Sequence, residues 1–589
     1  MRFAPLVLLA VLAAPAAGEI PLPRPGQQWI KVTSPNFTVI SSAGDDRTRQ
    51  VAETLETVAA ALRRVHPRFD ARFADTTVFL FARRGDCQPV FDLLLNQRSV
   101  NSPGAFVVQP DGSATIIVDA GRSADRTIRH ELMHNILATS GTRLPLWLEE
   151  GIAEYFSTTV VRGDSVIMGR PIIPHYRSLR ARGPLPVEDL LSMQPGSQMA
   201  TNVVFYAHSW ALVEWMMRTN RRAFYTFVAD VERGDDAALA FRRHFPIDIG
   251  AVSRSFRTAV ARPPASTALQ IERPEIRLSE ESIPATEALY RLARLLGQME
   301  NTRDDGRRFL DAVLTIDPAH ARSVAAHGLS RHYEAKYGEA TPLFEKALAM
   351  APHDPEVQLA AAEALLRHAV GPFVGTADLS ADAQPRFRRA RELATAAMHA
   401  GPSPLAEAIV GASYLVEDDV TPGIESLEKA YAARPGRRDF ALNLYALYLR
   451  ADRLGDADRI FNSFFTRPRN AEALPIARAT WVRERIIKVN RMIGNGQLEE
   501  AVTLLGEIVA SSPDETVRST FLDQASKLQR IIDRNRQVLL YNEAVTAFNE
   551  KRLEAALERC DRLLESSVDR DIREQTERLR TRTRARLGM

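Results

Sequence analysis

Residues 130–134 read His-Glu-Leu-Met-His and residues 146–155 read Leu-Trp-Leu-Glu-Glu-Gly-Ile-Ala-Glu-Tyr; these two stretches decide how the first part of the chain folds. In an α-helix, positions i and i+4 share a face, so His130 and His134 present both imidazoles on one side while Glu131 stands about 100° round the helix. Two nitrogen donors on one turn with a carboxylate beside them is how a helix builds a hydrolytic metal site. A catalytic zinc ion takes three N or O protein ligands and keeps one position for water, so a third ligand has to come from outside this turn.

Outward from the motif the pattern mixes strand and helix. Trp29–Val32 and Phe37–Ile40 read as short strands around a Ser-Pro-Asn turn, Arg47–Val65 carries an amphipathic helical period, and Thr77–Phe81 is a third strand. Ala105–Val108 and Thr115–Val118, separated by Pro110-Asp111-Gly112, predict a hairpin. The motif helix follows over about Ser123–Thr139, which makes the class α+β, with the last strand expected as an edge near the histidines. An extended peptide could add to that edge as a further strand.

The first eighteen residues have a basic Arg2, an apolar run Leu6–Leu12 and small residues at Ala14, Ala16 and Gly18, the pattern of a signal peptide at 1–18. Export to a periplasmic or secreted location is the expectation. No later stretch has 18 unbroken apolar residues, so no transmembrane segment is expected in the mature chain. The 76 basic and 73 acidic residues are interspersed and give a net charge of +3, which leaves no sustained basic face and argues against a nucleic-acid partner. The two cysteines, Cys87 and Cys560, stand far apart in the chain and read as buried thiols.

Residues 263–284, with Pro263-Pro264, Pro274 and Pro284, read as a linker. Beyond it the sequence is almost wholly helical, in amphipathic segments of about 12 to 16 residues. Prolines recur at 318, 352, 402, 435, 468 and 513, intervals of 34, 50, 33, 33 and 45. A period near 34 is that of a helix-turn-helix repeat. Counted back from the closing proline, Gly328, Ala340, Phe344, Ala347 and Pro352 form one unit, and Gly411, Tyr414, Gly423, Leu427, Ala430 and Pro435 repeat it. Ala544, Leu553, Ala556 and Cys560 fit a last one, which puts Cys560 in a packed position. The small residues let paired helices approach and the large ones fill the gap to the next pair. The longest interval holds one repeat plus an insertion around Ala369–Gln384, and the units closing at 468 and 513 fit loosely. This half resembles the tetratricopeptide repeats, which implies an all-α superhelix over 285–589 that binds a protein partner or the substrate.

Fifteen residues separate His134 from Glu150. His-Glu-x-x-His followed by Trp-Leu-x-Glu-Gly-x-Ala-Glu-Tyr resembles the gluzincin, or peptidase MA-like, zinc metalloproteases, a group that includes thermolysin and a class of aminopeptidases. The resemblance spans about residues 28–250, with its specific motifs confined to 130–155. It implies a thermolysin-like zincin domain over 19–262, one Zn2+ per chain held by His130, His134 and Glu150, and Glu154 as the partner of the first histidine. The spacing agrees: Glu150 and Glu154 are i and i+4, so a second helix can present one carboxylate to the metal and the other to the remaining N–H of His130. Glu131 is then free as general base for the water and proton donor to the leaving amine. Glu149, about 100° away round the helix, is the alternative ligand.

Each residue taken singly has a plainer reading. Glu149, Glu150 and Glu154 could line a solvated helix face, and His130 and His134 could be core histidines; the joint spacing favours the metal. For the oxyanion, the group commonly supplies a Tyr or His from a downstream helix, which implies Tyr206 and then His208, each with a core or surface role as the alternative. The aminopeptidases of the group carry Gly-x-Met-Glu-Asn ahead of the zinc helix, where the Glu binds a free amine. Here Gly104-Ala105-Phe106-Val107-Val108 has valines at the Glu and Asn positions, which favours an endopeptidase acting on a peptide or protein. The rival expectation is a catalytically silent envelope scaffold whose repeats mediate protein–protein interaction.

Overall fold

The structure is a computed structural model that describes residues 27–66, 69, 76–94, 104–109, 113–121, 123–140, 144–182, 185–193, 203–248, 250–252, 266–370, 383–466, 468–511, 515–565 and 569–589. The expected signal peptide, the hairpin turn 110–112 and the body of the expected insertion, 371–382, lie outside the described residues.

Strands β1 (Trp29–Thr33), β2 (Phe37–Ser41), β3 (Thr76–Phe81), β4 (Gly104–Val108) and β5 (Ala114–Asp119) all form where the alternating apolar runs predict them. Helices α1 (Asp45–Val65), α2 (Arg84–Leu94), α3 (Ala124–Ser140) and α4 (Leu146–Ser157) complete the first layer pair. Period-2 alternation gives each strand two apolar faces. Val78, Leu80, Ile116 and Val118 face a core shared with α1, α3 and α4, whereas Phe79, Phe81 and Ile117 face a second core shared with α2. The sheet is mixed. β2, β3 and β5 are parallel neighbours, and β4 pairs antiparallel with β5 in a register of Gly104 opposite Val118 and Phe106 opposite Ile116.

Two expectations are corrected here. The edge strand next to the motif helix is β4, the first strand of the hairpin, because β5 is sandwiched between β4 and β3. The stretch 263–284 is not a free linker. Residues Thr267–Gln270 form β8, which pairs with β7 (Ser165–Met168), itself paired with β6 (Val160–Arg162); residues Ser279–Ile283 form β9, which zips antiparallel onto β1. Its prolines fall outside both strands, so no ladder bond is lost to them. The following helix, Ala285–Gly297, buries Leu289, Leu292 and Leu296 in the second core with Trp29, Ile40 and Phe79. The first helical hairpin and the sheet therefore share one core.

Of four further helices, α5 (Ile173–Arg182), α6 (Val187–Leu191), α7 (Val203–Glu232) and α8 (Ala237–His244), α7 packs on α4 and the other three pack on α7. After them come helical hairpins: Ala285–Gly297 with Arg303–Ile316, Ala321–Tyr333 with Tyr337–Met350, Pro355–Val370 with Gln384–Ala397, and Pro404–Ala412 with Thr421–Ala433. The repeat register read from the sequence is the packed one. Ala340, Phe344, Ala347, Leu427, Ala430, Ala544, Ala556 and Cys560 are all buried. A Cβ on Gly411 would come within 2.7 Å of the Gly423 carbonyl oxygen, so helices Pro404–Ala412 and Thr421–Ala433 touch backbone to backbone there.

By its internal contacts the chain divides into two compact units, Met1–Leu447 with Asp458–Leu474, and Tyr448–Ala457 with Pro475–Met589. The second unit departs from the expected segment length: Glu515–Asn549 is one helix of 35 residues. Nothing between those positions is Pro or Gly, so no residue there breaks the helix. Its core gathers Leu504, Leu505, Ile508 and Phe521 in one cluster and Ala544, Ala556 and Cys560 in another. No helix among the described residues is long and apolar enough to cross a membrane.

Candidate metal centre

Helix α3 lays Ile128, Leu132, Met133 and Ile136 into the first core, a stripe at helical spacing that leaves the His130 and His134 face free for α4. On α4, Trp147, Leu148, Ile152 and Phe156 are buried and fix the rotation of the helix. The glycine of the Glu-Gly-x-Ala-Glu stretch has a packing reason: Gly151 lies against the backbone of α7, where a Cβ would stand 2.5 Å from the Ser209 carbonyl oxygen. Two arginines tie the helices together at the far end. Arg129 donates to the Ser157 carbonyl at 2.8 Å, and Arg126 pairs with Glu154 at 2.6 Å.

The three expected ligands converge. His130 Nε2 and His134 Nε2 are 3.1 Å apart, and Glu150 Oε2 lies 3.3 Å from the first and 3.5 Å from the second. Atoms bound about 2.05 Å from a tetrahedral ion are about 3.3 Å from one another, so this triangle has the dimensions of one face of a zinc tetrahedron. Glu150 Oε2 is buried without a hydrogen-bond partner, which is the orphaned acceptor a cation would satisfy. Among the described residues this trio is the one His/Cys/Asp/Glu group with such geometry. The donor set of two imidazoles and a carboxylate fits Zn2+.

Both outward-facing ring nitrogens meet carboxylates. His130 Nδ1 lies 3.6 Å from Glu154 Oε1, and His134 Nδ1 lies 3.3 Å from Glu149 Oε1. Glu149 thus stands behind the ring of His134, and Glu150 completes the triangle with the two Nε2 atoms. Four carboxylates around two imidazoles leave an excess of negative charge. Burial alone lowers both histidines, yet Glu150 and Glu154 outweigh it at His130, and Glu150 and Glu149 carry His134 well above the ordinary range. Burial works against ionisation of Glu150 too, and the two histidines overcome it and hold the carboxyl low. The pocket favours positive charge, which a dication would supply.

Glu131 is buried, and burial pushes its carboxyl up against the pull of His130 and His134. It points at the edge strand: a Cβ on Gly104 of β4 would be 3.1 Å from Glu131 Oε1. Phe106, two residues along β4, stacks over His134 with ring centroids 6.4 Å apart. Tyr206, near the start of α7, feels the charges of Glu150, Glu131 and Glu154; burial first and those carboxylates second push its hydroxyl up, so it stays a proton donor.

His208 is corrected. Its Nδ1–H donates to the Val204 carbonyl at 2.6 Å and its Nε2 accepts from the Leu185 amide at 2.6 Å, so both nitrogens are committed to holding the segment before α6 onto α7. A ring with no free N–H cannot serve an oxyanion. Sequence reasoning missed His175 of α5, which is buried and stands 3.2 Å from Glu154 Oε2. No spacing rule links residue 175 to the motif; Arg126, four residues before His130 on the same helix face, did carry a signal.

A family model described as "Protein of unknown function (DUF1570)" matches residues 125–234, less than half of the chain but a span that holds every residue of this centre. No curated protein matches. Solved structures similar to the chain include one titled "MamA RS-1 ArsTM double mutant" (18% identity, 30% of this chain and 91% of that one, TM-score 0.23). The pilF protein of Pseudomonas aeruginosa matches at 15% identity over 41% of this chain and 97% of that one, TM-score 0.27. The P58(IPK) TPR domain matches at 12% identity over 51% of this chain and 99% of that one, TM-score 0.16. At these scores the likenesses carry no argument.

Proposed function

We propose that the chain is a zinc-dependent peptidase that recruits its substrate or a partner through its C-terminal helical repeats, with His130, His134 and Glu150 as ligands and Glu131 as general base. The observation that carries this reading is the 3.1–3.5 Å triangle of two imidazole nitrogens and an orphaned carboxylate oxygen beside a second, buried carboxyl, that of Glu131. A divalent cation held by these three residues would supply Lewis acidity to a carbonyl and acidify a water. Glu131 is placed to take a proton from the attacking water as its oxygen bonds to the carbonyl carbon, and to deliver that proton to the nitrogen as the C–N bond breaks, a task suited to a carboxyl whose pKa burial has raised. The Tyr206 hydroxyl donates to the oxygen that gains charge. Glu149 and Glu154 hold the rings of His134 and His130 from behind.

Strand β4 is the sheet edge, so an extended peptide can pair along it and pass Glu131 at Gly104. Val107 and Val108 supply no acidic anchor for a free amine, which favours internal cleavage of a peptide or protein after export. Hydrolysis of a peptide blocked at both ends, abolished by a chelator and restored by Zn2+, tests the assignment; strict dependence on a free N-terminus would refute the endopeptidase part. The second reading, a scaffold with a silent first domain, draws support from the helical hairpins among the described residues of 285–433. A purified chain without zinc, and unable to regain it, would favour that reading.

A further inference from the structure

The imidazole of His175 is buried, packs against the indole of Trp210 with centroids 5.7 Å apart, and has no hydrogen-bond partner at Nδ1. Such a ring costs stability unless it does something. Its nearest charge is Glu154 Oε2, 3.2 Å from Nε2, and the other oxygen of that carboxylate is the one that faces His130 Nδ1 at 3.6 Å. We infer that His175 is a positioning residue of the metal centre: by donating from Nε2 to Glu154 it holds that carboxylate in the orientation that fixes the ring of His130. The inference rests on the metal-centre reading above.

The chemistry runs in one direction. Glu154 Oε2 is approached by His175 Nε2 at 3.2 Å and by Arg126 at 2.6 Å, two donors on one carboxylate oxygen. A carboxylate oxygen can only accept, so the nitrogen that faces it must carry the hydrogen. Arg126 reaches the same oxygen at 2.6 Å, but its side chain is 39% exposed, so water screens its pull. His175 acts from the dry side, where a hydrogen bond to a charge counts for more. His130 Nδ1 is itself buried and has no closer partner than Glu154 among the described residues. The tautomer and aim of a ligand ring thus depend on a carboxylate that His175 steers. Outer partners of this kind typically change metal affinity by about 10- to 100-fold.

The test measures zinc affinity of the full chain by competition with a chromophoric chelator, in wild type, His175→Leu and His175→Gln, with thermal unfolding of the zinc-free proteins as a check on folding. His175→Leu should weaken zinc binding by about 10-fold or more, and His175→Gln, which keeps an N–H donor, should recover most of it. A role in packing alone predicts the reverse order, because Leu suits the apolar side of Trp210 better than Gln. Should His175→Leu fail to fold, His175→Phe keeps a ring there without a donor and should show the same loss. Wild-type affinity in the folded Leu or Phe variant, or a larger loss in Gln than in Leu, overturns the positioning role while leaving the metal centre intact. Absence of zinc binding in the wild type overturns both.

Discussion

Gly151 and Ser209 meet where α4 crosses α7, so closely that a Cβ on Gly151 would stand 2.5 Å from the Ser209 carbonyl oxygen and 2.6 Å from a methyl of Val213. Backbone cannot swing aside as a side chain can. Gly151→Ala should therefore destabilise the fold by about 1–3 kcal/mol despite Ala being the better helix former. Denaturant unfolding of the zinc-free protein checks this, and a midpoint equal to wild type would show that α4 and α7 have room to part.

Glu131→Gln keeps the volume of the side chain and removes the base. It should bind zinc like wild type and lose peptide hydrolysis by at least about 100-fold, as read from initial rates on a blocked peptide. Equal rates in the two proteins would remove Glu131 from the mechanism.

Tyr206→Phe removes one hydroxyl that burial and three carboxylates keep protonated. Loss of an oxyanion donor falls on kcat, by about 100-fold or more, with KM little changed. A change confined to KM would make Tyr206 a binding residue only.

The strands β1 to β5, helix α3 and the convergence of His130, His134 and Glu150 were legible because each rests on a local rule: alternation for the strands, i and i+4 for the histidines, and the same interval for Glu150 and Glu154. The hairpin register was legible for the same reason, since Gly411, Gly423 and Ala430 had to be small at fixed positions. What escaped depends on contacts between residues distant in sequence. Strand β9 was hidden in a proline-spaced, charged stretch, Ser279-Glu280-Glu281-Ser282-Ile283, whose pairing with β1 only the assembled sheet reveals. His208 looked like a donor because its position on the helix said nothing of Leu185, 23 residues earlier, which takes up its second nitrogen. His175 reaches Glu154 from another helix, and Glu149 took the place behind His134 that spacing alone could not separate from ligation.

In the helical half, Glu287 is held to about pKa 2, its burial outweighed by His320, Arg291 and Arg322. An unfolded glutamate titrates near about 4.3, so the unfolded chain binds a proton at this site before the folded chain does. The stability it contributes is complete above about pH 4.5 and is lost as pH falls toward 2, at most about 3 kcal/mol. Glu287→Gln should flatten that part of the stability–pH curve while leaving the zinc affinity at neutral pH unchanged. A curve as steep as that of wild type would place the acid sensitivity elsewhere.

On the proposed reading, His130, His134 and Glu150 hold one zinc ion. Metal content of the purified full chain by mass spectrometry, before and after chelation and reloading with Zn2+, tests it most directly, with Glu150→Ala alongside. The expected result is one zinc per chain in the wild type, regained on reloading, and a folded Glu150→Ala protein that keeps little or none. A wild type that neither carries nor regains zinc, or an Ala variant that holds it as tightly, would contradict the account.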